Sequence, residues 1–124
     1  MENKYFTPDI EDIHAGYECE LLIYDKWEPN TIKPYTALAS VVRCIKDQII
    51  RVPHLTKEQI EAEGWIACYF KDSVKCHFVK KDFELFIYED NFISIISKSF
   101  NFLYKGECKD INTFRKIIKL LKIN

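Results

Sequence analysis

The chain has 124 residues, 48% of them hydrophobic and 30% charged, the mixture of a single globular domain, 1–124, and outside the range of disordered or low-complexity chains. Its 18 basic and 19 acidic residues leave a net charge of -1, so no overall excess points to nucleic acid or a membrane surface. The charge is nevertheless uneven: residues 1–28 hold eight acids and two bases (net -6), and residues 98–124 hold seven bases and two acids (net +5). Cations suit the end of a terminal helix and acids keep a first strand solvated; a partner meeting one pole alone would see a strongly charged patch.

In chain order, Thr7-Pro8-Asp9-Ile10-Glu11-Asp12-Ile13 carries a capping hydroxyl, a proline and first-turn acids before Gly16, which predicts a short helix or one 3₁₀ turn. Tyr17 to Tyr24 reads as a strand, and Asp25-Lys26-Trp27-Glu28-Pro29-Asn30 as a loop. Thr36 to Ile45 and Gln48 to Val52, joined by Lys46-Asp47, suggest a hairpin that ends at Pro53. The sharpest local pattern follows. Thr56 and Gln59 have capping-box spacing, Leu55 can staple onto Ile60, and Gly64 can take a left-handed stop that returns Trp65 to Ile60, so a helix is predicted over Lys57 to Glu63.

Five short aromatic and β-branched runs come next, Ile66 to Phe70, Val74 to Val79, Phe83 to Tyr88, Phe92 to Ile96 and Phe100 to Lys105, separated by polar breaks. This spacing predicts an antiparallel meander. Incomplete alternation within Phe92 to Ile96 implies that both faces are partly covered. Asp110 to Ile123 changes to helical spacing, with Ile111, Phe114, Ile117, Ile118 and Leu121 on one face. The expected fold is therefore α+β: an antiparallel β meander with a short capped central helix and a C-terminal amphipathic helix packed on the sheet.

Fifteen of the 18 basic residues are Lys, and Ile, Lys, Phe, Tyr and Asn fill 54 positions; all five use A- and T-rich codons, which fits an AT-rich bacterial or phage genome. Only Arg43, Arg51 and Arg115 offer the planar guanidinium suited to phosphate or guanine. The five cysteines are odd in number and scattered, and the charged start lacks the apolar stretch of a secretory leader, so the expected compartment is the reducing cytoplasm. The apolar runs are far shorter than the roughly 20 residues of a membrane helix, and no membrane partner is expected.

Candidate chemistry is sparse. Cys68, Cys76 and His77 lack the short ligand spacing of a zinc site, and Cys76 and His77, adjacent on a strand, point to opposite faces. Cysteines alongside His14, His54 and His77 permit a Cys-His pair in a compact fold without marking one, and neither Gly16 nor Gly64 lies in a phosphate-cradling loop. We therefore expect no enzyme, cofactor or metal. Tyr24 and Trp27 flank the proline-containing loop and are the candidate protein contacts. For single-stranded nucleic acid the candidates are Lys80 and Lys81 with Arg115, Lys116, Lys119 and Lys122 of the basic half. Phe78, Phe83 and Tyr88 could supply an aromatic platform beside Lys80 and Lys81, although the reading we favour makes these rings the sheet face beneath the terminal helix.

Three passages, TPDIEDIHAGYECEL, IIRVPHLTKEQIEAEGW and FLYKGECKDINTFRKIIKLLKIN, resemble small proteins of bacteriophages and mobile elements of Bacteroidetes-like bacteria. The resemblance implies a strand-turn-helix ending in Gly-Trp and a final strand feeding a terminal helix, and it implies no catalytic residue. It adds a phage or mobile-element genome as the expected home; the function we expect is that of a non-catalytic accessory protein acting through a protein partner or a homo-oligomer, in the host cytoplasm or on the virion. Binding of single-stranded nucleic acid through the basic half is the alternative.

Overall fold

A computed structural model describes residues 4–68, 76–89, 91–99 and 101–123. The fold is α+β, in two compact units, Met1–His54 and Leu55–Asn124, each with its own sheet and buried cluster. Among the described residues no helix is long and apolar enough to cross a membrane.

The first unit holds a four-stranded sheet in the order β1-β4-β2-β3, with β1 at Tyr5–Phe6, β2 at Glu18–Ile23, β3 at Lys26–Thr31 and β4 at Ile50–Pro53. Alternation sends Cys19, Ile50 and Val52 inward, where Tyr17 joins them and Phe6, Leu21, Cys44 and Ile45 pack against the cluster. The helix-or-turn expected after Thr7 is a 3₁₀ turn, Ile10–Asp12, capped by Asp9 rather than Thr7. Two sequence expectations are corrected here. The segment read as a loop from Asp25 to Asn30 is mostly β3: the chain reverses over Tyr24 and Asp25, both left-handed at φ 50° and 65°, the pattern of a two-residue hairpin turn. Pro29 is tolerated because β3 lies at the sheet edge.

The segment read as a strand from Thr36 to Ile45 is the helix α1, Leu38–Lys46. Its valines suggested a strand, but Val41, Cys44 and Ile45 sit at i, i+3 and i+4, and that stripe decides the matter. Only β4 remains of the expected hairpin, and it pairs with β1 and β2.

The second unit contains the five-stranded meander, in sequential order from β5 (Ile66–Cys68) through β6 (Cys76–Lys80), β7 (Phe83–Ile87) and β8 (Phe92–Ser97) to β9 (Phe102–Glu107). Residues 69–75 and 100, parts of three expected runs, lie outside the described residues. Phe78, Leu85, Ile95 and Tyr104 are aligned across the inner face, and a one-residue irregularity opposite Ile95 and Ile96 leaves Leu103 as the extra residue of β9. Over this face lie α2 (Lys57–Ala62) and α3 (Ile111–Leu120), which bury Ile60, Ile111, Phe114 and Ile117 against Phe78, Leu85, Ile93 and Ile95. Ile118 and Leu121 are half-buried at the margin. The complete capping box at Thr56 and Gln59 forms as the spacing predicts.

Every helix stops in the same way. After α2, Gly64 is left-handed at φ +93°; its N–H donates to Glu61 O at 3.0 Å and that of Trp65 to Ile60 O at 3.4 Å, the two bonds of a Schellman motif. Gln48 and Ile49 repeat this after α1, donating to Ile45 O and Cys44 O at 3.2 and 3.0 Å. Lys122 and Ile123 repeat it after α3, donating to Lys119 O and Ile118 O, both at 3.1 Å. Gln48 and Lys122 accept φ of 57° where glycine is preferred. In each case the following apolar residue, Ile49, Trp65 or Ile123, is turned back toward its own helix.

The start of α3 is fixed equally firmly. Asp110 is only 3% exposed, and its carboxylate accepts from Thr113 Oγ1 at 2.7 Å, Asn112 Nδ2 at 2.7 Å and the Thr113 amide at 3.4 Å. Helix-terminal donors suit a buried anion of this kind.

These stops and caps lead to stability expectations, each read as a shift in the urea midpoint followed by circular dichroism. Thr56→Ala should cost about 1 kcal/mol through loss of the cap. Asp110→Ala should cost about 2 kcal/mol, because buried donors lose their acceptor. Gln48→Gly and Lys122→Gly should stabilise, by about 1 kcal/mol each, by relieving left-handed strain.

Candidate functional site

The two helix stops of the second unit face a common cleft of about 290 Å³, lined by Glu63, Trp65, Lys80, Phe114, Arg115, Ile118, Lys119 and Ile123. Trp65 and Ile123 arrive there because Gly64 and Lys122 reverse the chain. Residues 114 and 118 form an apolar stripe of α3, and residues 115 and 119 a cationic stripe beside it, each at i, i+4. The aromatic floor is rigid: Trp65 and Phe114 meet edge to face at 6.1 Å between ring centres and are 2% and 0% exposed. Among the described residues the indole Nε1 of Trp65 has no hydrogen-bond partner.

Two of the three cations are committed. Lys80 Nζ donates to Glu63 O at 2.9 Å, placing positive charge on the carbonyl end of α2, and Arg115 Nε donates to the Glu63 carboxylate. Lys119 is exposed on α3, and no ion pair engages it among the described residues. The cleft therefore combines an apolar floor with a net positive wall, and its one carboxylate is held by Arg115. No thiol, hydroxyl or imidazole lines it among the described residues.

Of the nucleic-acid candidates, Lys80, Arg115 and Lys119 thus come together, whereas Lys81, Lys116 and Lys122 are exposed and do not line the cleft. The aromatic platform weighed as the lesser reading is not assembled from the named rings. Phe78 is fully buried and Phe83 packs against the same cluster, while Tyr88 shares a 3.1 Å hydrogen bond with Ser94. On the outer sheet face the His77 ring instead stacks on Phe86 at 4.4 Å, with Nε2 3.2 Å from the Glu84 carboxylate. Cys68 is paired with His77 across β5 and β6, and Cys76 points to the opposite face; no group of three metal-ligating side chains forms among the described residues.

No family model, curated protein or solved structure matches this chain.

The protein-contact candidates separate. Tyr24 stands at the hairpin tip, 97% exposed. Trp27 is half-buried on the outer face of the first unit's sheet, where the Arg51 guanidinium lies 4.2 Å from its ring centre and 3.6 Å from that of Tyr5. Arg51 also reaches Glu20 through Nε and Nη2, both at 2.8 Å. Trp27 is thereby occupied within its own unit, by a cation–π contact that the loop reading did not anticipate. Sequence reasoning also left Glu63, Trp65, Phe114, Ile118 and Ile123 out of any site. The spacing of 114, 115, 118 and 119 was the available pointer, since it places two unlike stripes side by side on one helix.

Cys19 and Cys108 are kept protonated, and so weakly nucleophilic, at neutral pH. Burial, reinforced by Asp110, pushes Cys108 up to about 12, and burial, reinforced by Cys44 and Glu20, pushes Cys19 up to about 11, from an ordinary 9.0. A raised thiol value means that folding favours the protonated form, so this contribution is complete below pH 9.0 and is lost as pH rises toward 11 and 12. Urea midpoints should thus fall progressively above pH 9.0, and Cys19→Ser and Cys108→Ala variants should flatten that decline.

Proposed function

We propose that the protein is a non-catalytic binding module whose cleft between α2 and α3 anchors a segment of another protein, an apolar side chain against the half-buried Ile118, beside the buried Trp65 and Phe114, and an acidic neighbour against Lys119. The observation that carries this reading is the meeting of an apolar and a cationic stripe of α3 with Trp65 in one cavity. The size supports a side-chain anchor: about 290 Å³ lies at the lower edge of the roughly 300–1,000 Å³ of pockets that enclose whole small molecules. The resemblance to phage and mobile-element proteins makes such a genome the source of the partner and an accessory role the setting.

The second reading, binding of single-stranded nucleic acid, draws on the gathering of Lys80, Arg115 and Lys119. Stacking, worth about 1–3 kcal/mol per base on an accessible ring, is unavailable on Trp65 and Phe114 because both rings are buried. What remains is phosphate contact alone, with its steep salt dependence.

A Trp27→Phe variant leaves Trp65 as the one indole and makes its fluorescence a reporter of the cleft. Peptides that alternate Asp or Glu with Leu or Ile should change this emission saturably, the same peptides with Asn and Gln should not, and Lys119→Glu should weaken binding about tenfold. Silence toward every acidic-apolar peptide would overturn the proposal, and a salt-sensitive response to oligothymidine alone would transfer the site to the second reading.

A further inference from the structure

We infer that the occupant of the cleft is the acidic 3₁₀ turn of a second copy of this chain, so that copies associate head to tail; the inference rests on the cleft being a protein-binding site. Charge and shape chemistry select this turn. Asp9, Glu11 and Asp12 are exposed, and no ion pair engages them among the described residues. Ile10, half-exposed between them, supplies the apolar group. Asp9 accepts from the Glu11 amide at 3.1 Å and Pro8 beside it is buried, which holds the turn in one shape before binding and reduces the ordering cost. The cleft presents the complement: an apolar lining and the uncommitted Lys119.

The two patches belong to different units, so the contact is heterologous. Each copy that lends its turn keeps its own cleft open, and each that fills its cleft keeps its own turn free. Association of this kind continues as an open string or closes into a ring, a reciprocal pair being the smallest. It is also driven by exposed charges, which salt screens.

Sedimentation of the full chain tests this. At ionic strength near 0.01 M, where the Debye length is about 30 Å, the mean mass should rise with protein concentration, and near 1 M, where it is about 3 Å, it should return to that of the monomer. Glu11→Lys with Asp12→Lys should abolish the rise, and so should Lys119→Glu; all three positions are exposed, and circular dichroism verifies the folds. Mixing the turn variant with the cleft variant should restore association at least to mixed pairs, because the intact acidic turn of the cleft variant meets the intact cleft of the turn variant. A mass that stays monomeric at every concentration and salt, including one produced by a turn folding onto the cleft of its own chain, overturns the inference, as does failure of the mixture to recover. Should the wild-type protein remain monomeric while acidic-apolar peptides still move Trp65 fluorescence, the cleft's function stands and only this occupant is wrong.

Discussion

The second unit depends on how its helices end. A left-handed residue after α2 and another after α3 each satisfy two helix carbonyls and fold the next side chain back. Trp65 and Ile123 are the side chains so placed, and without that reversal the cleft would have neither its floor nor its far wall. The same geometry accounts for the charges. Carbonyl ends carry partial negative charge, and Lys80 settles on Glu63 O while Arg115 holds the Glu63 side chain. Part of the basic wall is thus structural in origin, and the portion free for recognition narrows to Lys119.

Asp110 complements these stops from the other end of α3. Its carboxylate is taken from water and repaid by three local donors, so it fixes the rotation of the helix about its own axis. Rotation decides which stripe faces the sheet. With Phe114 and Ile117 in the core, residues 115, 118 and 119 fall at the margin, where apolar and cationic chemistry meet. The first unit handles a cation on the outer face of its sheet differently: Arg51 is clasped by two rings and a carboxylate.

Where local chemistry was redundant, structure was legible in the residues. Leu55, Thr56, Gln59, Ile60, Gly64 and Trp65 each indicate the same helix, and the five aromatic runs repeat one pattern often enough to read as a meander. Elsewhere two rules competed. Val41 and Val42 have strand character, and the helical stripe through Val41, Cys44 and Ile45 became decisive only once β4 supplied a surface to cover. The β2–β3 turn uses Tyr24 and Asp25 in place of the Asn-Gly or Asp-Gly that marks a hairpin, so a strand was read as a loop and Trp27 as solvated. For the cleft, the three cations were visible individually, but their convergence depends on the end of β6 reaching the end of α2, a long-range fact that no local pattern contains. The break between His54 and Leu55 likewise has no glycine or serine, and its one proline, Pro53, reads as the end of a strand.

Among the described residues six other than glycine occupy the left-handed region, Tyr24, Asp25, Gln48, Lys81, Asn91 and Lys122, in a chain with three glycines. With so few glycines the chain makes its sharp turns from bulkier residues. Among the described residues none of these six belongs to a buried cluster or lines the cleft. The turns therefore hold a reserve of mutational headroom: the recognition surface can drift toward a new partner, losing stability as it does, while compensation accumulates at remote positions that the partner never meets.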